Sequence, residues 1–360
     1  MRVALTTYST KPRGGVVHTL ALAEALVDLG VDVSVWTLGR GGDQAFFRPV
    51  DPRVDVRVVE FAAREDEDVG ARILRSIDVL RAGFDPARRA GAYDVVHAQD
   101  CISANAVGRC VRTVHHLDTF TTPELAACHE KAIVEPFAHV CVSASVAREL
   151  TDGWGLHPTV IPNGVDAQRF ARADPAPWRD RFGRYVLAVG GIEPRKGSLD
   201  LLRAVARLRA ELPDVELVFA GGETLFDYRG YRQEFDRLAV DLGVHPRVLG
   251  PVADDDLPGL VAGAAAMGFV STKEGFGLAA MEALAAGVPV VTRELPVLRE
   301  VFDGAALFAD DPASIAAALR TAVEVPDPGR TRRGRDLAAR HTWTAAARAH
   351  LALYEELRRR

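Results

Sequence analysis

Two carboxylates stand eight residues apart in the stretch STKEGFGLAAMEALAAGVPVVT, at Glu274 and Glu282. Between them lie the small-residue turn Gly275, Phe276, Gly277 and an Ala-rich run. Such a run is suited to packing, and an unpaired carboxylate is expensive to bury there. A ligand resolves the conflict. Glycines at 275 and 277 let the backbone come close to it, and the exposed N–H groups of a first helical turn favour an anion such as a pyrophosphate. Glu282, over a turn further along, can accept hydrogen bonds from vicinal hydroxyls through its two oxygens. Phosphates, ribose hydroxyls and sugar hydroxyls occur together in a nucleotide sugar. Upstream, EPRKG at 193–197 sets Arg195 and Lys196 in a Pro-initiated turn, and VRTVHH ends on His115 and His116. Taken alone, Lys196 reads as a helix cap and His115 as a core histidine.

The elements that must hold these residues alternate. Short β-branched runs (RVALTTY, VDVSVWTL, VDVRVVEF, YDVVHAQD, VRTVHH, HVCVSAS, PTVIPNGVD) are separated by longer amphipathic ones such as VHTLALAEALVDLG. That rhythm predicts βα units on a parallel sheet. The Pro-, Arg- and Asp-rich QRFARADPAPWRDRFG reads as a linker. A second series follows: RYVLAVGG, VELVFAGG, RVLGPV, AAMGFVS, GVPVVT and AALFAD. The expected organisation is an N-terminal Rossmann-like domain over 1–165, a linker over 166–183, a C-terminal Rossmann-like domain over 184–340 and a terminal helix over 341–360 that packs back toward the N-terminal domain. Two doubly wound domains are expected to leave a cleft at their strand carboxyl ends. Glu274 then falls in the loop after the AAMGFVS strand, and 277–286 forms the following helix.

Composition narrows the function classes. A chain of 360 residues is long for one core, and 48% hydrophobic with 26% charged residues describes a globular protein. Its net charge of −5 gives no general pull toward nucleic acid. Neither a signal-peptide-like run nor a spanning apolar segment is read, so a cytoplasmic protein is expected, with peripheral membrane contact left open. Cys101, Cys110, Cys128 and Cys141 lack CxxC or metal-finger spacing and read as reduced packing residues.

EGFGLAAME is similar to the E-x7-E motif of retaining glycosyltransferases of the GT-B fold, in glycosyltransferase family 4. The resemblance extends over the GGV turn at 14–16, DVVHAQ at 94–99, TVHH at 113–116, IPNGVD at 161–166, EPRKG at 193–197, then GVPVV and LPVLREV. It implies that Glu274 and the backbone N–H groups after it (Gly275, Phe276, Gly277, Leu278) hold the donor sugar and diphosphate, and that Glu282 binds the ribose. Lys196, with Arg195, would stabilise the departing nucleoside diphosphate. Gly14, Gly15 and Val16 would open a helix toward the phosphates, His115 would lie near the sugar, and Gly250, Pro251 and Val252 would flank the base. The chain departs from the family at AVGGIEPRKG, where Gly191 follows the strand-end Gly190 and many relatives carry an arginine. Arg195 is the nearest residue that could compensate.

The resemblance implies a hexosyltransferase-type enzyme with no metal and no cofactor, taking a nucleotide sugar, a UDP-sugar by default, to an unidentified hydroxyl acceptor. Alternatives are a non-catalytic nucleotide-sugar binding protein and a GT-B epimerase; a sugar phosphorylase would need a longer chain and a pyridoxal-binding lysine context. Asp254, Asp255 and Asp256 resemble a metal triplet but read as a helix cap. RTRRGR at 330–335 reads as a solvated face, and AREDEDVGARILRSIDVLRAGF as an amphipathic helix with an acidic start. His97, Gln99 and His116 read equally as site residues or as supports.

Overall fold

The β-branched runs build two parallel sheets, and their near-continuous apolar character suits strands covered on both faces. The first contains β1 (Arg2–Thr6), β2 (Asp32–Arg40), β3 (Asp55–Phe61), β4 (Val95–Ala98), β5 (Val111–Val114), β6 (Ala138–Cys141) and β7 (Thr159–Val160). The second contains β8 (Tyr185–Val189), β9 (Glu216–Ala220), β10 (Arg247–Val248), β11 (Ala266–Phe269), β12 (Val290–Thr292) and β13 (Leu307–Phe308). The structure is a computed structural model and describes residues 1–360 apart from 65, 66, 119, 121, 223–227 and 360. Strand order is β3-β2-β1-β4-β5-β6-β7 in one sheet and β10-β9-β8-β11-β12-β13 in the other. Each order reverses once, between β1 and β4 and between β8 and β11. Open parallel sheets bind ligands outside the strand carboxyl ends at such reversals.

The chain divides into one unit of Met1–Gly164 with Trp343–Arg360, and a second of Val165–Thr342. Within the first unit the terminal helix Trp343–Arg359 adds Ala346, Ala347 and Tyr354 to the core around Leu20 and Val33. Its Tyr354 hydroxyl lies 2.6 Å from His97 Nδ1, and His97 Nε2 lies 2.7 Å from Thr113 Oγ1. His97 is therefore a fully satisfied support for β4 and β5.

The expected linker at 166–183 is instead part of the second unit. It forms the helices Ala167–Ala171 and Ala176–Phe182 and buries Phe170. Its polar composition conceals local start signals: the Asp166 carboxylate accepts from Arg169 N at 3.1 Å, and Pro175 precedes a helix where a missing N–H costs nothing. The amphipathic helix expected after β3 spans Val69–Arg89 and is capped by Asp68, whose Oδ1 accepts from Ala71 N at 2.8 Å. The acidic pair at 65 and 66 lies outside the described residues. All four cysteines are free, and Cys110, Cys128 and Cys141 are buried. Among the described residues no helix is long and apolar enough to cross a membrane.

Candidate active site

At the β8/β11 reversal two loops are fastened together. After β8 the chain passes Gly190 and Gly191 into a 3-10 turn at Pro194–Lys196, followed by Gly197 at φ +65°. A Cβ on Gly197 would stand 2.3 Å from the Val270 carbonyl oxygen, so only glycine lets the turn dock on the end of β11. Thr272 N donates to Arg195 O at 2.8 Å and closes the junction. The consequence is electrostatic. Lys196 Nζ lies 2.6 Å from Glu274 Oε1, Arg195 Nη1 lies 3.3 Å from the same oxygen, and Arg195 Nη2 lies 3.2 Å from Glu193 Oε1. Two cations adjacent in sequence thus turn toward one carboxylate. Lys196 also runs its stem past Gly190, where an added Cβ would meet Cε at 3.3 Å. An ammonium has three donors, so one bond to Glu274 leaves others for phosphate oxygens.

Gly275 and Phe276 are buried after β11, and Gly277, at φ +99°, starts the helix Leu278–Ala286. A Cβ on Gly277 would come within 2.8 Å of the Phe302 ring. Among the described residues no side chain caps this helix, which leaves its first-turn N–H groups for an anion. Glu282 lies on the same helix and makes no hydrogen bond or ion pair among the described residues. Burial pushes its carboxyl up to about 8; Arg169 acts against that shift and Asp254 adds to it. Two ligand hydroxyls would give this carboxyl the donors it lacks. Past β10, Gly250 O accepts from Gly221 N at 2.9 Å, Pro251 is exposed beside Gly222, and Val252 is half-buried.

Two sequence expectations are corrected here. The acidic triplet is not a side-chain cap: Asp256 at the start of the helix Leu257–Gly263 makes no capping bond, and Asp254 pairs with Arg169 at 2.7 Å. A full guanidinium charge is a stronger partner for Asp254 than a helix end. Arg169 and Asp254 flank Glu282 electrostatically, and the sequence concealed both, one in an assumed linker and one in an assumed cap. RTRRGR is not simply solvated either. Arg333 Nε donates to Gly304 O at 2.7 Å, and Arg335 Nη2 reaches toward Ala286 O at 3.5 Å. Carbonyls left unpaired at helix carboxyl ends attract such cations.

In the first unit the helix Gly14–Asp28 opens after β1 without a side-chain cap. Gly14 is exposed, Val16 enters the core, and Gly15 faces His115, whose Nε2 would be 3.6 Å from a Cβ at Gly15. His115 follows β5. Burial, reinforced by His18, holds its imidazole well below the usual histidine range, so it is neutral at pH 7. Its buried Nε2 has no hydrogen-bond partner among the described residues. The His18 ring stands edge-on at 4.8 Å and is fixed by Asn163 Oδ1 at 2.8 Å from its Nδ1. His116 pairs with Asp118 at 2.8 Å. Gln99 keeps both amide atoms buried and unpartnered among the described residues. Each unit therefore carries unsatisfied polar groups near the reversal of its strand order.

Comparison with known proteins follows the same division. Residues 12–169 match the family described as Glycosyltransferase Family 4, and residues 179–341 the one described as Glycosyl transferases group 1. The phosphatidyl-myo-inositol mannosyltransferase of Mycolicibacterium smegmatis is 31% identical over 97% of this chain and 92% of its own. The D-inositol 3-phosphate glycosyltransferase of Acidothermus cellulolyticus is 31% identical over 91% of this chain and 83% of its own. Among solved structures, sucrose-phosphate synthase from Thermosynechococcus elongatus superposes with a TM-score of 0.81 at 19% identity, covering 99% of this chain and 98% of that one. Anabaena HepE in complex with UDP-glucose gives 0.77 at 19% identity, covering 99% of this chain and 100% of that one.

Proposed function

The chain belongs to glycosyltransferase family 4 and has the GT-B fold, and on that premise we propose that it transfers its sugar with retention of anomeric configuration and without a metal ion. It is a glycosyltransferase that draws on a nucleotide-sugar donor. The observation that carries the proposal is the convergence of Lys196 and Arg195 on Glu274, at the reversal of strand order and beside the uncapped helix Leu278–Ala286.

In this reading the bond from the donor's anomeric carbon to the diphosphate oxygen breaks, and its electron pair leaves with the diphosphate. Lys196, Arg195 and the first-turn N–H groups from Gly277 and Leu278 stabilise that charge, the task otherwise given to a divalent cation. The acceptor hydroxyl forms the new bond on the face the leaving group vacates and passes its proton to a phosphate oxygen. Gly275 and Phe276 carry the backbone along the sugar, Glu282 holds the ribose, and Gly250, Pro251 and Val252 flank the base. Taken by itself, the first unit presents the amino end of its helix at Gly14, Gly15 and Val16, suited to an anion, and His115 as a neutral hydrogen-bonding group suited to a sugar hydroxyl. UDP is the nucleotide assigned, and the four free cysteines fit a cytoplasmic enzyme.

The test is turnover of a UDP-sugar in excess EDTA, with product configuration read by NMR. Persistent activity and a retained anomeric configuration are expected. Inversion, or activity abolished by chelation and restored by magnesium, overturns the mechanism.

A further inference from the structure

Two of the four cysteines meet in the first unit, and neither takes part in the chemistry above. Cys101 opens the helix Cys101–Val107 after β4, and Cys128 sits within the helix Pro123–Val134. One amide joins them. Asn105 Nδ2 donates to Cys101 O at 2.7 Å and to Cys128 O at 2.8 Å, and lies 3.4 Å from Cys128 Sγ. The Cys128 thiol donates to the Cys101 sulfur, so the two side chains are in direct contact. Thiols already hydrogen bonded need to close by only about 2 Å to reach the S–S bond length. Cys101 is partly exposed, whereas Cys128 is buried.

The surroundings treat the two sulfurs differently. Arg112 is buried in β5 beside them. Its Nη1 donates to Thr113 O, its buried Nε has no hydrogen-bond partner, and it makes no ion pair among the described residues. An enclosed guanidinium favours an anion next to it, and the ionisable groups around this one are Asp100, Cys101, Cys110 and Cys128. Asp100 directs its carboxylate to Tyr8 N at 2.9 Å and Ser103 N at 2.7 Å instead. That leaves a thiolate as the counter-charge. The hydrogen bond from Cys128, aided by His129 and Arg112, holds the Cys101 thiol well below the usual thiol range against the effect of burial. The same bond, together with burial, raises Cys128. Burial also pushes Cys110 and Cys141 up to about 12. Cys101 is thus the reactive sulfur, Cys128 is a protonated thiol in contact with it, and the other two are inert packing groups.

We propose that Cys101 and Cys128 form a redox-modification site that a hydroperoxide converts from a dithiol to a disulfide. The Cys101 thiolate attacks one peroxide oxygen, the O–O bond breaks, and its electron pair leaves with hydroxide, which takes up a proton from solvent and departs as water. The sulfur is oxidised to a sulfenic acid and the peroxide is reduced. Cys128 then attacks the sulfenic sulfur. The S–S bond forms, the S–O bond breaks, and hydroxide leaves with the Cys128 proton as a second water. The product ties the helices Cys101–Val107 and Pro123–Val134 together, and a thiol reductant reverses it by exchange. In a reducing compartment the pair rests as the dithiol, which makes the link transient rather than structural.

The experiment uses the full chain, fully reduced and freed of reductant, with hydrogen peroxide as the probe. After a timed exposure the remaining thiols are alkylated under denaturing conditions, and the chain is digested without reduction for mass mapping. A cross-linked peptide pair carrying Cys101 and Cys128 is expected, absent before treatment and lost on adding dithiothreitol, with Cys110 and Cys141 recovered alkylated. Dimedone, which traps sulfenic acids, is expected to label Cys101 in Cys128→Ser and to leave Cys128 unlabelled in Cys101→Ser. On the untreated native chain, iodoacetamide is expected to modify Cys101 at least about tenfold faster than Cys110 or Cys141. Should either serine variant fail to fold, the wild-type map and the alkylation rates decide alone. A cross-link between any other pair, dimedone on Cys128 in Cys101→Ser, equal alkylation rates, or four intact thiols at a peroxide dose that oxidises glutathione in a parallel tube overturns the site.

Discussion

Glu282 should make donor binding release a proton. Its carboxyl titrates at about 8 in the free protein, raised first by burial, so about one molecule in eleven carries the carboxylate at pH 7. Ribose hydroxyls donate best to the ionised form, and a carboxylate receiving such bonds is stabilised as the anion. If only that form binds, apparent Kd scales as one plus the ratio of protonated to ionised Glu282. Affinity should then strengthen about tenfold from pH 7 to pH 9, and weaken about tenfold from pH 7 to pH 6. The assay is calorimetry with an intact UDP-sugar, whose diphosphate diester does not titrate in this range. Repeating it at pH 7 in buffers of different ionisation enthalpy should count close to one proton released per site. Glu282→Gln preserves shape and removes the titration, so its affinity should lose the slope. A wild-type Kd flat from pH 6 to 9, or the same slope in Glu282→Gln, would refute the reasoning. Stability of the ligand-free protein changes in the opposite sense. The folded state keeps this proton up to about pH 8 whereas the unfolded chain releases it near 4.5, so this contribution is full below pH 4.5 and falls as pH rises through the window.

Because Arg195 and Lys196 share one Glu274 oxygen, Arg195→Ala should depress kcat nearly as much as Lys196→Ala, on the order of a hundredfold, and Gly191→Arg should partly restore it; steady-state rates at saturating donor decide, and near-normal turnover for Arg195→Ala leaves Lys196 with the helix N–H groups alone. Gly197→Ala forces a Cβ to 2.3 Å from a carbonyl oxygen at φ +65°, so it should cost about 1–3 kcal/mol or more and lower Tm while displacing Lys196; an unchanged melting curve contradicts this. Tyr354→Phe strips a 2.6 Å partner from buried His97 and should destabilise the fold by about 1–3 kcal/mol in denaturant titrations.

The β-branched runs were legible because each strand's apolar character depends only on its own residues. The Glu274 loop and its helix were legible too, since a strand followed by Gly, Phe, Gly and an Ala-rich run leaves few alternatives. Arg169 was hidden by its surroundings: in a segment dense with Pro, Arg and Asp, nothing local distinguishes a short packed helix from a linker. Adjacent acids before a helix suggest capping, and only folding brings Asp254 a guanidinium 85 residues away. His97 shows the converse, a motif residue whose two hydrogen bonds fix it as a support.

The helix Trp343–Arg359 completes the first unit's core from the far end of the chain, with Ala347 and Tyr354 fully buried there. During synthesis the whole of Val165–Thr342 must be made before that piece exists. At about 5–20 residues per second the ribosome keeps the first unit waiting for roughly ten seconds to half a minute. Through that interval the surfaces destined for Tyr354 and Ala347 stand open, and any stop codon before the last helix leaves them open for good.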